Sequence, residues 1–252
     1  MVRRIQLAAA TMVALLAATS AGGQEAGYLP GPLPGAPVLG RSVWIEPMAG
    51  VVTFRRRSME RHVRLRRRIR VPLGTIVDAR RGRVRLTVAV TRSGRRERSV
   101  FYGGKFVPLQ RPAERSVTTL RLIGGDFGPK ACPPRASRVP AADRRRRIRR
   151  LWGDGKGRFR TRGRYSAATV RGTRWLVEDR CQGTLTRVAR GEVEVEDFTA
   201  PDETQAAPAP PPADGSQPAG APAPAASPER APRKPRRVRV RTGGTFVAGP
   251  TR

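Results

Sequence analysis

Period-two alternation of apolar and polar residues dominates the chain from about residue 42 onward, and predicts a protein built of short β-strands. The clearest run is Arg83 to Thr91, RVRLTVAVT, with Val84, Leu86, Val88 and Val90 on one face and Arg83, Arg85, Thr87 and Ala89 on the other. A register slip of one residue would carry arginine into the core, so this pattern restricts its own pairing. Shorter runs lie at Ser42 to Ile45, Gly50 to Phe54, His62 to Leu65 and around Leu120 and Leu122. In GEVEVEDF the alternation places Val193 and Val195 inward and Glu192, Glu194 and Glu196 outward, on a solvated face that balances neighbouring arginines.

Glycines punctuate these runs. Gly103-Gly104, between VFY and KFVPL, predicts a two-residue hairpin. Asp154-Gly155 predicts a second hairpin, pairing the strand that contains Leu151 with the one that contains Phe159. Asp143 to Trp152, DRRRRIRRLW, fits either a helical turn or a strand leading into that hairpin, and is taken as a strand. Gly172 is expected to supply a bend or bulge, and Gly183 and Gly191 to fall at strand ends. Trp44, Trp152 and Trp175 are read as core fillers, with Trp175 pointing inward beside Val177. The fold class is therefore all-β: a compact, mainly antiparallel sandwich or β-roll.

Composition divides the chain further. Arg3 and Arg4, an apolar run from Ile5 to Ala18 and small residues through Gly23 read as a secretory signal peptide over 1–23, cleaved near Ala21. The apolar run is too short to span a bilayer, which takes roughly 20 residues. Residues 24–40 form a Pro/Gly-rich extended leader. Residues 200–235 are rich in Pro and Ala with almost no large apolar side chain, and are expected to be a disordered insertion. Alternation resumes over 236–248 with Val238, Val240, Phe246 and Val247, which predicts strands that return to complete the domain.

Cys132 and Cys181 are the only cysteines. An even count in an oxidising compartment predicts one disulfide. The loop it closes is worth about 4 kcal/mol by the chain-entropy argument. The formal net charge is +32, nearly all from arginine. Such a charge favours adsorption to polyanions or to an anionic membrane surface. The candidate polyanion contacts are the clusters Arg55, Arg56, Arg57; Arg66, Arg67, Arg68; and Arg144, Arg145, Arg146, Arg147.

Catalytic signatures are missing from the sequence. His62 is the only histidine, in an Arg-rich setting without a nucleophile or an orienting partner in view. GDGKG, Gly153 to Gly157, lacks the spacing and the Lys-Ser/Thr ending of a phosphate loop and reads as a turn. With two cysteines and one histidine, no structural zinc pattern can be assembled. The expectation is a non-enzymatic protein with no cofactor and no metal site.

Two blocks carry a resemblance. LGTIVDARRGRVRLTV spans Leu73 to Val88, and ATVRGTRWLVEDRCQGTLTRVARGEVEV spans Ala168 to Val195, with a later strand VRVRTGGTF. Their Gly-Thr and Val-x-Val rhythm resembles the extracytoplasmic domain of the FecR family, over roughly residues 70 to 248. The resemblance implies a FecR-like β domain over 41–199. It also implies an exported binding, sensory or scaffolding module at the cell envelope, whose partner would be an envelope protein or cell-wall component. Founding members relay an envelope signal to a sigma factor through a cytoplasmic segment and a membrane span. Only Met1 to Arg4 precede the apolar run here, so the scaffold is expected to carry over without that direct control. The alternative is an Arg-rich surface protein that binds a cell-wall polymer, anionic lipid or nucleic acid.

Overall fold

Alternating β-branched residues separated by glycine-bearing turns give a molecule made of strands, with no helix among the described residues. The computed structural model describes residues 35–133, 146–170, 172–201 and 235–249. The signal segment with Ala21, most of the leader, Arg144 and Arg145, and nearly all of the Pro/Ala-rich stretch lie outside the described residues. Among the described residues no helix is long and apolar enough to cross a membrane.

The chain runs through β1 (Ser42–Arg55), β2 (Val63–Arg64), β3 (Ile69–Pro72), β4 (Ile76–Ala89) and β5 (Arg96–Tyr102). It continues with β6 (Lys105–Gln110), β7 (Thr118–Leu122), β8 (Arg147–Gly155), β9 (Phe159–Arg162) and β10 (Ser166–Val170). The last five are β11 (Thr173–Arg180), β12 (Gly183–Arg190), β13 (Glu192–Pro201), β14 (Pro235–Arg241) and β15 (Thr245–Ala248). Twelve of them form one path, β14-β13-β10-β9-β7-β6-β4-β5-β8-β11-β12-β15, with β1 on the other side of β4 and β2 and β3 paired to β1. Every pairing is antiparallel except β7 with β9, so the sheet is mixed but mainly antiparallel. The two end strands of the path, β14 and β15, are consecutive in the chain. Backbone bonds from Gly243 to the Val188 carbonyl (2.9 Å) and from Val188 to the Gly244 carbonyl (3.1 Å) draw those ends together. The sheet is thus nearly closed around a single core.

Closure requires strands that turn a corner, and β1 and β4 do so together. The runs 42–45 and 50–54 belong to one strand, bent by irregularities between Pro47 and Ala49 and between Val51 and Thr53. The buried positions change parity across the bend, from Val43 and Ile45 to Val52 and Phe54 in β1, and from Val77 and Ala79 to Val84, Leu86 and Val88 in β4. Bulges allow this by inserting an unpaired residue that re-aims the side chains beyond it. Gly50 and Gly82 lie at the crossing, where a Cβ on either would run into the opposite backbone.

Neither predicted hairpin forms. β5 and β6 do not pair with each other; both lie along the same edge of β4, β5 against Arg83–Ala89 and β6 against Val77 and Asp78. Gly103-Gly104 is a corner between them, and a Cβ on Gly104 would collide with the Arg150 carbonyl. Likewise β8 pairs with β5 and β11, whereas β9 pairs with β7 and β10. Residues 156–158 therefore cross from one part of the sheet to another. In both places glycine admits a close backbone approach, which leaves the same sequence signal as a tight turn.

The strand expected over Asp143 to Trp152 is β8, running from Arg147 to Gly155. Gly172, at φ +87°, sits in another crossing between β10 and β11, and Gly191, at φ +84°, lies between β12 and β13. Gly183 opens β12, where a Cβ would press on Val247 and Ala248 of β15. At the centre Phe101 meets Phe106 (5.8 Å between ring centres), Phe159 (5.4 Å) and Trp175 (6.0 Å). Trp175 is fully buried and its Nε1–H donates to Thr161 Oγ1 (3.1 Å). Trp44 and Trp152, by contrast, are not core fillers. They stand on the outer face beside buried neighbours, half-buried under arginines: Arg68 lies 4.4 Å from the Trp44 ring centre and Arg187 5.7 Å from that of Trp152. A disulfide joins Cys132 to Cys181, tying the segment after β7 to the β11–β12 hairpin.

Candidate anion-binding cleft

Outward-facing positions of β7 and β9 form the floor of a large surface cleft. Leu120, Leu122, Phe159 and Thr161 face the core, so alternation sends Thr119, Arg121, Arg160 and Arg162 to the other side. The parallel register sets Thr119 beside Arg160 and Arg121 beside Arg162. Two flanking segments raise the rim. The first carries Arg56 and Arg57, which follow β1, together with the Pro72–Thr75 turn; the second carries Arg111 and Arg115 from the loop between β6 and β7. The volume of this open cleft is about 1370 Å³. Among the described residues seven arginines line it, with no aspartate, glutamate, lysine or histidine.

The charged groups are held in different ways. Arg160 is anchored from behind by Glu196, with its guanidinium 6.0 Å from the Phe198 ring centre. Arg162 lies over the same ring at 4.8 Å. Arg56 donates from Nη2 to the Arg70 carbonyl at 3.4 Å, at the outer limit of a hydrogen bond. The Nε atoms of Arg56 and Arg160 are both buried and both without a hydrogen-bond partner. Among the described residues no carboxylate lies within ion-pairing distance of Arg57, Arg111, Arg115, Arg121 or Arg162. An unpaired cluster of planar, multi-donor cations in a partly enclosed cleft raises the local anion concentration, and its forks match phosphate and carboxylate oxygens.

Neutral side chains shape the rim. Ser116 accepts from the Ala113 amide (2.8 Å) through Oγ, contacts the Arg111 carbonyl (3.0 Å), and bonds Val90 through its own amide (3.0 Å). Gln110 accepts from the Gly40 amide (2.8 Å) and donates to the Ala89 carbonyl (2.8 Å) and Thr118 Oγ1 (3.0 Å). Replacing Ser116 with alanine is expected to cost about 1 kcal/mol of stability for the lost buried hydrogen bonds. It should also weaken anion binding a few-fold by loosening Arg111 and Arg115, with chemical denaturation and binding isotherms as the readouts.

Of the arginine clusters singled out from the sequence, only Arg56 and Arg57 enter this cleft. Arg55 turns to the Met59 carbonyl (3.4 Å), Arg66 and Arg67 are exposed elsewhere, and Arg68 covers Trp44. Arg146 and Arg147 are exposed at the start of β8. Arg111, Arg115, Arg121, Arg160 and Arg162 were not distinguishable by clustering. Alternation in LRL and RFRTR does mark three of them as outward-facing.

The glutamate row of β13 faces an arginine row on β14: Glu192 pairs with Arg239 (3.1 Å) and Arg241 (3.4 Å), and Glu194 with Arg237 (3.6 Å). These carboxylates are occupied by neighbouring cations. His62 is exposed and its imidazole pKa is lowered, by burial first and by Lys105 next. It lies 3.5 Å from Thr53 Oγ1, beside a smaller cavity of about 320 Å³ that also holds Asp78 and Arg80. Burial raises the Asp78 carboxyl, but hydrogen bonds from Arg80 outweigh it and leave the pKa lowered. No group of three or more potential metal ligands occurs among the described residues.

Compared with known proteins, the chain matches no family model, no curated protein and no solved structure.

Proposed function

We propose that this chain is an exported, non-catalytic β module of the cell envelope that binds an acidic ligand in the arginine cleft on β7 and β9. The observation that carries the reading is seven arginines lining one cleft without an acidic lining residue among the described ones. Like charges held this close repel one another, and an anion relieves that repulsion while satisfying their donors. The disulfide and the absence of a membrane-crossing helix among the described residues are compatible with an extracytoplasmic location. The leader pattern and the FecR-like blocks support the same placement, with a cell-wall polymer or another acidic envelope component as the partner.

The competing explanation is adsorption driven by the net charge of +32, which no particular site would govern. Two variants of equal charge separate them, Arg121→Ala/Arg162→Ala in the cleft and Arg66→Ala/Arg67→Ala on an exposed segment. With heparin as a generic polyanion, the cleft pair is expected to lose about tenfold in affinity and the exposed pair less than about twofold. Among the described residues the cleft lining has no imidazole or carboxylate, so the difference should persist from about pH 5 to pH 9. Equal losses in both pairs would leave only bulk attraction.

A further inference from the structure

We infer that the cleft is built for a linear phosphodiester polymer, recognised through its backbone alone; this rests on the acidic-ligand reading above. Three observations combine. First, the cleft is larger than the few hundred to 1,000 Å³ that usually encloses a compact small molecule, and it is open, which suits a segment of a chain. Second, the floor charges come from a strand and so repeat at a strand's spacing. Arg160 and Arg162 are two residues apart on β9, about 6.6 Å along the strand, with Arg121 abreast of Arg162. An extended polymer with six backbone bonds per charged unit repeats at about 7 Å, because three backbone bonds of a peptide span at most about 3.6 Å. Phosphodiester chains of the nucleic-acid or glycerol-phosphate type have six bonds per phosphate, whereas inorganic polyphosphate has two and carries charge much more densely.

Third, among the described residues no aromatic side chain lines the cleft. Single-stranded nucleic acids are ordinarily held by stacking bases on aromatic rings. A cleft without such rings can read charge spacing and leaves bases unread. Planar guanidinium forks suit the two free oxygens of a phosphodiester. Glu196 holds Arg160 from behind through Nη2, while the side chain stays 27% exposed among the residues that line the cleft.

The test uses the full disulfide-bonded protein and four probes of equal charge number: glycerol-phosphate oligomer, abasic oligodeoxynucleotide, base-bearing single-stranded oligodeoxynucleotide and poly-glutamate. The three phosphodiesters are expected to bind within about threefold of one another and at least about tenfold tighter than poly-glutamate. Their affinity should fall with salt at a logarithmic slope of about −2 if the floor arginines alone engage and about −5 if all seven do. Arg121→Ala/Arg162→Ala should lower all three affinities and flatten the slope by more than one. Poly-glutamate binding as tightly as the phosphodiesters would overturn the phosphodiester assignment while the heparin comparison still stood. A base-bearing strand binding tenfold tighter than the abasic one would overturn backbone-only recognition. If neither heparin nor any phosphodiester distinguished the cleft pair from Arg66→Ala/Arg67→Ala, the acidic-ligand reading itself would fall.

Discussion

Replacing Trp175 with alanine is expected to lower the free energy of unfolding by about 3–5 kcal/mol, the largest single-residue effect anticipated in this molecule. The indole is fully buried, meets Phe101 edge-on at 6.0 Å, and donates its N–H to Thr161. Gly153 has no side chain because the ring fills the space where a Cβ would stand. Truncation would leave a cavity bounded by rigid strands from both sides of the nearly closed sheet, which cannot collapse to fill it. It would also strand the Thr161 hydroxyl without its donor. Trp175→Phe should recover most of the packing but not the hydrogen bond, and so fall between. Urea unfolding followed by circular dichroism decides the point. A loss below about 1 kcal/mol for the alanine variant would mean that the aromatic cluster does not hold the two sides of the sheet together.

The second large effect is on binding. Arg121→Glu/Arg162→Glu is expected to weaken polyanion affinity at least a hundredfold, well beyond removal of the same charges. Each glutamate would sit abreast of the other across the parallel β7–β9 pair and would draw the remaining cleft arginines into internal ion pairs. The ligand would then have to displace those pairs and overcome repulsion as well. Stability should change by no more than about 1 kcal/mol, since both side chains are exposed and only the Arg162 stack on Phe198 is lost. Affinity titration beside thermal unfolding separates the two quantities. A loss no greater than that of Arg66→Glu/Arg67→Glu would assign the attraction to total charge.

The fold class was legible because alternation is a local property with a global consequence. Val84, Leu86 and Val88 in β4, and Val193 and Val195 in β13, are buried where their spacing puts them, with charged neighbours outside. The strand-like run at Arg236 to Arg241 had the same pattern, and it pairs in register with β13, Val240 opposite Val193 and Val238 opposite Val195. Trp175 and Trp152 show the limit of such reading. One fills the core and the other lies outside under arginine, although both are tryptophans beside apolar residues. Every strand has two faces, and which one is buried at a given position depends on neighbours far away in sequence.

By itself the sequence determined that the protein is β-rich, which faces of its longest strands are apolar, and that arginine must crowd the outside. Those follow from period-two alternation and from the cost of burying charge. Tertiary structure alone decided what the glycines do. Gly103-Gly104 and Asp154-Gly155 have the residues of hairpin turns, but the strands they join find partners elsewhere. Glycine records only that a side chain is excluded, whether by a turn or by a passing backbone. Tertiary structure also decided the site. Arg121 and Arg162 are far apart in the chain and become neighbours because β7 and β9 pair in parallel, a long-range pairing that no local pattern encodes.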